Sequence, residues 1–380
     1  MLRNVACGRT SAWPNNDMRP ELQTFDGRLL CCVFLWLLYG LWVVGSLFFM
    51  GLWLVSGFCV TSAVLNAVSN DNWPTPLPFA VQLNILAMAL YEGYHFVTRD
   101  SQHTWPFMRR IVRYVCHHFP YFRLNVVMFE EQEENDQKDG HLGAKAAIAV
   151  VEENKRPPCF ESDKHALFAF HPHGVLSCGF SINGVHHLAF ERAACRWISA
   201  KALFLFPIMR DVLHWMEFSN STKESMQRIM RTGQNLCLLP GGIEEATLYQ
   251  RGRHRVYIKK RFGFIKLALQ HGYDIYPVYT FGEEYTYHAF THLQWLRCQL
   301  NRFWVPGVIF FGNRLCFYLP RSDVDLITVV GKPLRLPHVE TPSREVVKEY
   351  HDKYIEALQS LFDSYKGVYA VDPDAKLELF

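Results

Sequence analysis

The hydrophobic and polar positions divide this chain into an apolar N-terminal quarter and a longer part in which short apolar runs alternate with polar segments. No charged residue occurs between positions 29 and 70, and positions 72–91 are uncharged as well. About 20 consecutive apolar residues are enough to cross a bilayer. The pattern therefore predicts a transmembrane or re-entrant hairpin over residues 29–98, with two or three spans.

Basic residues flank the apolar region on both sides. By the positive-inside rule, both flanks are expected on the cytoplasmic side, with residues 71–78 forming a loop on the far side. Residues 1–28 are accordingly interpreted as an N-terminal cytosolic tail. The flanking residues are Arg3, Arg9, Arg19 and Arg28 before the first run, and Arg99, Arg109, Arg110 and Arg113 after the second.

Two segments of different character separate the hairpin from the rest of the chain. Residues 99–129 mix arginine with aromatic side chains, which is typical of an amphipathic segment at the headgroup boundary. Residues 130–164 begin with a strongly acidic run and then carry glycine and proline, which predicts a solvated, mobile insertion. A folded domain is expected over residues 165–380.

Apolar runs and helical patterns alternate through residues 165–380. Pro277 predicts an edge or irregular position for its strand, and Thr341 is the expected N-cap of the last helix. The alternation favours an α/β fold with a mostly parallel sheet and flanking helices. The predicted strands are residues 166–170, 202–206, 235–239, 274–281 and 325–331, and the clearest predicted helices are residues 223–231 and 264–270.

Two histidines follow the first of these predicted strands. His171 and His173 are framed by Pro172 and Gly174, which restrict the backbone so that the imidazoles are held in a local geometry. In open α/β folds, ligands bind beyond the carboxyl ends of the strands. A neutral imidazole can accept a proton from an alcohol. The chain has 17 histidines, most of which are expected to be ordinary core or surface side chains.

A second strand-to-helix junction carries two glycines and two glutamates, in the block from Gly241 to Glu245. Because the carboxyl ends of parallel strands meet at one edge, this block is expected beside the histidines. Glu245, or Glu244, is the candidate carboxylate that raises the basicity of an imidazole and fixes its tautomer. No convincing nucleophile accompanies these residues, which fits direct attack of an alcohol on an already activated thioester.

Other functional classes receive weaker support. The run Gly179-Phe180-Ser181-Ile182-Asn183 lacks the final glycine of a nucleophile elbow, so a lipid esterase is a second hypothesis. His-x-His without a further ligand cluster makes a metal site a third hypothesis, and a non-catalytic membrane scaffold is a fourth. A net charge of +3 gives no support to nucleic-acid binding. The basic run 251–261 predicts either a solvated face or a patch for anionic ligands or headgroups.

These blocks resemble those of the acyl-CoA:diacylglycerol acyltransferase type 2 family, which includes monoacylglycerol and wax-alcohol acyltransferases. The His171-Pro172-His173-Gly174 block is similar to the HPHG signature of that family. The YFP block of the family reads His118-Phe119-Pro120 here, and no carboxylate stands five residues after either histidine, unlike the HxxxxD pair of related acyltransferases. Further similar blocks, in family order, are Pro207-Ile208-Met209-Arg210, Gly241-Gly242-Ile243-Glu244-Glu245, residues 261–272, Val330-Gly331-Lys332-Pro333 and residues 351–362.

The resemblance implies an integral, multi-pass enzyme of the endoplasmic reticulum membrane with a cytosolic catalytic domain at residues 165–380, and with lipid droplets as a second site. It implies acyl-CoA-dependent esterification of diacylglycerol to triacylglycerol; monoacylglycerol or a fatty alcohol is the alternative acceptor. Acyl-CoA is then a co-substrate, membrane lipids are partners, no cofactor or metal is expected, and homo-oligomerisation is left open. Carried over by position, His173 is the expected base, His171 its neighbour and Glu245 the carboxylate, while Pro172, Gly174, Arg210, Gly241, Gly242 and Arg261 are expected to bind substrate.

Overall fold

The computed structural model describes residues 25–70, 73–98, 104–118, 121–130, 165–303, 307–314 and 316–380. The acidic insertion after position 130, most of the predicted N-terminal tail and the pair Phe119-Pro120 lie outside the described residues.

The N-terminal part of the protein is helical. It consists of α1 (Phe25–Tyr39), a π-helical turn (Gly40–Gly45), α2 (Ser46–Ser69), α3 (Phe79–Val97) and α4 (Pro106–His118). Among the described residues one helix, α2, is long and apolar enough to cross a membrane, with a mean hydropathy of 1.9. Helix α3 contacts α2 through a hydrogen bond in which Asn84 Nδ2 donates to the Ser56 hydroxyl at 2.7 Å.

Beyond these helices, strands and helices alternate as the hydrophobic pattern predicts. The strands are β1 (Leu124–Phe129), β2 (Ala166–His171), β3 (Arg196–Ser199), β4 (Phe218–Asn220), β5 (Leu236–Leu238), β6 (His254–Val256), β7 (Asp274–Phe281), β8 (His288–Ala289), β9 (Phe310–Phe311), β10 (Asp325–Val330) and β11 (Leu377–Leu379). The helices are α5 (Met209–Trp215), α6 (Lys223–Met230), α7 (Gly242–Leu248), α8 (Gly263–His271), α9 (Gln294–Leu300) and α10 (Arg344–Tyr369).

Seven of these strands form one sheet in the order β1-β10-β7-β2-β5-β3-β4. The five strands from β7 to β4 run parallel, whereas β10 is antiparallel to β7 and parallel to β1. Successive residues of β2 face opposite sides: Phe168 and Phe170 enter one buried cluster, while Leu167 and Ala169 enter the other. Both faces of the sheet are therefore covered, which confirms the predicted α/β class with a mostly parallel sheet.

Two predicted helices, α8 and α10, are present in the structure. Helix α8 ends at Gly272, which adopts the left-handed conformation with φ of 66° that a helix C-terminus favours. Helix α10, the predicted last helix, buries an apolar stripe that includes Tyr354, Leu358 and Phe362 against the sheet. Its N-cap is Ser343, whose hydroxyl accepts from the Val346 amide, so the predicted cap at Thr341 is wrong by two positions.

The predicted strand at residues 202–206 is wrong. Residues Lys201–Leu205 form a 3₁₀ helix in which no side chain is fully buried. The sheet position is taken instead by β3, a few residues earlier, where Trp197 is completely buried. The run has the apolar composition of a strand, but it folds as a 3₁₀ helix whose side chains are half-buried or exposed.

The predicted edge position of Pro277 is also wrong, because β7 lies between β10 and β2. The ladder between β10 and β7 begins at Val278, one residue after the proline. The Pro277 carbonyl accepts from the Gly331 amide at 2.8 Å, just beyond the end of β10. The proline, which has no N–H to donate, thus lies just outside the ladder between β10 and β7. This position explains why an inner strand tolerates a proline.

The predicted boundary at residue 165 is too late. Strand β1 lies inside the segment 99–129 that was expected to rest at the membrane surface, yet it pairs with all six residues of β10. Asn183 ties this edge to the rest of the fold, since its side-chain amide donates to the Leu326 carbonyl at 2.9 Å and to the Thr328 hydroxyl at 3.1 Å. The sheet domain therefore includes residues on both sides of the acidic insertion.

Candidate active site

Three neighbouring parallel strands, β7, β2 and β5, end at the same edge of the sheet. Strand β2 ends in the histidine block, and β5 runs through Pro240 and Gly241 into helix α7, which carries Glu245. The histidine block and the block from Gly241 to Glu245, which were predicted to share an edge, are in contact. Glu245 accepts a hydrogen bond from the main-chain N–H of His173.

His171 points into the protein core and is completely buried. Its Nε2 lies 2.9 Å from the Tyr354 hydroxyl, and its Nδ1 is 3.9 Å from Oε2 of Glu245. Burial lowers the pKa of His171 to about 3, so the imidazole is neutral at physiological pH. Because it is shielded from solvent and bonded to α10, His171 packs the floor of the site and is poorly placed to meet a substrate.

His173 is partly exposed, whereas His171 is buried. Its Nδ1 lies 3.1 Å from the carbonyl oxygen of Gly174. A carbonyl oxygen only accepts hydrogen bonds, so these partners assign the proton to Nδ1 and leave the lone pair on Nε2. Burial lowers the pKa of His173, opposed by the Gly174 carbonyl and by the negative charge of Glu244. The imidazole is therefore neutral at pH 7, and Nε2, which no described residue contacts by a hydrogen bond, can accept a proton.

Glu245 holds two main-chain segments together rather than the imidazole of His173. Besides the His173 amide, its carboxylate accepts from the Tyr257 amide at 2.7 Å. The side chain is buried, and burial raises its pKa to about 8 in spite of these two donors. The predicted contact between a carboxylate and the His173 ring is replaced by a contact with the His173 main chain.

The two glycines at the start of α7 make room for this arrangement. A Cβ on Gly241 would lie 2.6 Å from the Cβ of Glu245, and Gly242 has a φ of +60°. Arg261 closes the turn from outside, since its guanidinium donates to the Gly241 carbonyl at 2.9 Å and pairs with Glu244. These predicted substrate-binding residues therefore lie at the histidine site and stabilise its turn.

The remaining predicted substrate-binding residues fall in two places. Pro172 is buried within the histidine block, where the peptide bond that precedes it is cis. Gly174 follows with a φ of +61°. Arg210, in contrast, is the second residue of α5 and forms an ion pair with Glu92 of α3 at 3.1 Å, with its guanidinium over the Tyr91 ring. Arg210 thus contacts an N-terminal helix rather than the histidine block.

Glu283 is a site residue that the sequence reasoning missed. It follows β7 at the same sheet edge, is completely buried, and accepts from the amides of Cys178 at 3.1 Å and Gly179 at 2.6 Å. It also packs against Gly174, where a Cβ would lie 2.7 Å from the Glu283 Cγ. Burial raises the pKa of Glu283 to about 8. The signal was available, because the residues after a parallel strand reach the edge that binds ligands.

Ser177 is the second residue that the sequence did not reveal. Its hydroxyl oxygen lies 3.2 Å from Nδ1 of His173, and its backbone has a φ of 53°. No sequence pattern marks a serine that adopts this left-handed conformation. The site therefore combines one accessible imidazole, a neighbouring hydroxyl and two buried carboxyl groups that fix the main chain around it.

Comparisons with known proteins point to one family of acyltransferases. The family model for diacylglycerol acyltransferase matches residues 151–380. Diacylglycerol O-acyltransferase 2 of Dictyostelium discoideum is 32% identical over 227 residues, covering 55% of this chain and 68% of the relative. Acyl-CoA wax alcohol acyltransferase 2 of Mus musculus is 32% identical over 243 residues, covering 57% and 70%. For 2-acylglycerol O-acyltransferase 3 of Homo sapiens the identity is 31% over 237 residues, covering 58% and 68%.

Proposed function

Because this chain belongs to the diacylglycerol acyltransferase family and is an acyltransferase, we propose that it transfers the acyl group of acyl-CoA to the hydroxyl of diacylglycerol, forming triacylglycerol. The observation that carries the mechanism is the partly exposed imidazole of His173, whose Nδ1 lies near two acceptors and whose Nε2 forms no hydrogen bond to any residue that the structure describes. A neutral imidazole in this state is suited to act as a general base.

In the proposed reaction, the alcohol O–H gives its proton to Nε2 of His173 while its oxygen attacks the thioester carbonyl. The carbon–sulfur bond then breaks, and the departing thiolate takes up the proton from the imidazolium. The products are one ester and one free CoA thiol, and the imidazole returns to its neutral form. The thioester is already activated, so no covalent enzyme intermediate, cofactor or metal ion is invoked.

Glu245 supports this reaction through the backbone. The His173 amide and the Tyr257 amide share its carboxylate, which fixes the loop after β6 against the histidine block. Small displacements matter here, since a shift of about 1 Å between reacting groups can cost about 10²-fold in rate. We therefore assign Glu245 the role of holding the base in place.

The acceptor is the part of the proposal with an explicit alternative. Relatives named for 2-acylglycerol and for wax alcohol are as similar to this chain as the relative named for diacylglycerol, with identities of 31%, 32% and 32%. A monoacylglycerol or a fatty alcohol is thus the second candidate acceptor. All three present a hydroxyl to the same base.

We further propose that the N-terminal helices embed this enzyme in the endoplasmic reticulum membrane as a hairpin, with the catalytic domain in the cytosol and lipid droplets as a second site. The apolar helix α2 and its contact with α3 support this arrangement. Arg210 pairs with Glu92 at the end of α3, so the sheet domain is held close to these helices. A lipid acceptor would then reach His173 from the bilayer.

The test is an acyl-transfer assay on membranes that carry the full chain, using labelled acyl-CoA and a panel of three acceptors. Replacing His173 by alanine is expected to lower the rate by at least about 10²-fold, because a general base contributes roughly that factor. His292 is exposed and serves as the matched control, since its alanine variant should keep full activity. Full activity of H173A would overturn the mechanism, and ester hydrolysis without added acyl-CoA would favour an esterase.

A further inference from the structure

Ser177 combines an unfavourable backbone conformation with a contact to the imidazole of the site. Its φ of 53° lies in the left-handed region, where the Cβ of an L-residue approaches the following carbonyl and glycine is usual. The residue is buried, with 9% of its surface exposed. Its Oγ lies 3.2 Å from Nδ1 of His173. Backbone strain that persists beside a functional group suggests that the side chain is needed there.

The loop that carries Ser177 is fixed from the opposite side. Glu283 accepts from the amides of Cys178 and Gly179, the two residues directly after the serine. Glu283 also packs against Gly174 at the start of the loop. With both ends of the segment held, the serine hydroxyl stays within hydrogen-bonding distance of the imidazole.

No described hydrogen bond joins a carboxylate to Nδ1 of His173. Glu245 contacts the His173 main chain, Glu283 contacts the loop amides, and Glu244 pairs with Arg261 while its charge still acts on the ring. Beyond the carbonyl of Gly174, the acceptor within reach of Nδ1 is therefore the Ser177 hydroxyl. In many catalytic histidines a carboxylate fills this place.

We propose that Ser177 is a positioning residue for His173, whose hydroxyl accepts the Nδ1–H, fixes the tautomer with Nε2 free, and stabilises the imidazolium that forms during acyl transfer. This inference rests on the proposed function, because it assigns Ser177 a role only through His173. Related acyltransferases place a carboxylate five residues after the histidine. In this chain, the proposed partner of His173 is instead the hydroxyl of Ser177, four residues later.

Two substitutions separate the hydroxyl from the backbone. S177A removes the hydroxyl and keeps the strained β-carbon, whereas S177G removes both and suits a positive φ. The full chain in membranes is assayed with diacylglycerol and labelled acyl-CoA, and Tm is measured on the same preparations. Both variants should lose about 5- to 30-fold in kcat, since a buried hydrogen bond of about 1 to 2 kcal/mol corresponds to that factor. S177G should nevertheless have a Tm at least as high as S177A.

The pH dependence of kcat/KM provides a second measurement. A variant that only lost folded protein would have a lower rate but an unchanged pH profile. Glu244, Glu245 and Glu283 face this region from α7 and from the turn after β7, and all three remain in both variants. An imidazolium without the Ser177 acceptor is less stable, so the acidic limb of kcat/KM should move to lower pH by about 0.5 to 1 unit.

Three outcomes are distinguishable. A rate loss in both variants with the shifted limb supports the proposal. Wild-type kcat and an unmoved limb in S177A and S177G, while H173A is inactive, would overturn it and leave the proposed function standing. Activity in H173A itself would overturn the proposed function, and with it the role of Ser177.

Discussion

The clearest test of how this site is built is the substitution of Glu245, because two interpretations predict different results. The carboxylate either orients the imidazole of His173 directly, as the sequence suggested, or anchors the main chain, as its contacts with the amides of His173 and Tyr257 indicate. E245Q preserves the size of the side chain but exchanges one acceptor oxygen for a donor. One of the two amides then loses its acceptor.

The magnitude follows from counting those hydrogen bonds. A buried donor left without a partner costs about 1 to 3 kcal/mol. E245Q orphans one amide, so we expect a loss of about 1 to 3 kcal/mol in the free energy of unfolding and a loss of about 10-fold in kcat through imperfect placement of the base. E245A orphans both amides and should lose about 2 to 6 kcal/mol, with a rate loss of about 10²-fold or more.

The assay measures kcat with labelled acyl-CoA and Tm on the same membrane preparations. Glu356 is exposed on α10, and E356Q is the matched control that should change neither quantity. If the carboxylate acted on the imidazole itself, its amide analogue would favour the wrong tautomer, and losses of about 10⁴ are known for that defect. A fall of more than 10³-fold in E245Q at an unchanged Tm would therefore refute the anchoring role.

Two further predictions concern the buried carboxyl groups and the histidine loop. G174A places a Cβ 2.7 Å from Cγ of Glu283 at a φ of +61°, so activity should fall at least about 10²-fold with a lower Tm, whereas G263A, with open space around it, should match the wild type in both assays. Burial raises the pKa values of Glu245 and Glu283 to about 8 and of Glu284 to about 7, above their unfolded value of 4.5. Each group contributes stability in its protonated form, and this contribution is lost as the pH rises from the unfolded pKa of 4.5 to the folded pKa of about 7 to 8. The Tm should therefore fall between about pH 5 and 8 and level off above that range, and it should fall less steeply in E283Q. Equal slopes in E283Q and the wild type would contradict this account.

The parts of the site that could be predicted are those set by local pattern and strand direction. His173 and Glu245 each follow a short apolar run, and parallel strands bring their carboxyl ends to one edge. The same logic reaches Glu283, which follows β7, although the pair Glu283-Glu284 resembles an ordinary solvated turn in the sequence. The geometry then shows that this carboxyl group is completely buried.

The features that could not be predicted depend on long-range contacts or on backbone conformation. Ser177 adopts a conformation that its residue type disfavours, so composition gives no warning of it. Arg210 forms an ion pair with Glu92, which lies more than a hundred positions earlier in the chain. Strand β1 pairs with β10 across about two hundred positions, a distance at which apolar periodicity gives no information about partners.

The pairing of β1 with β10 has a consequence for truncated fragments of the enzyme and for its proteolytic cleavage. A fragment that starts after the acidic insertion would leave all six residues of β10 without their outer neighbour, and such unpaired edges promote aggregation. Cleavage within the insertion, in contrast, would leave two pieces still joined through the sheet, so a nicked chain should remain one particle. The segment that follows the N-terminal helices is thus part of the sheet domain, and cutting the insertion would not separate it from residues 165–380.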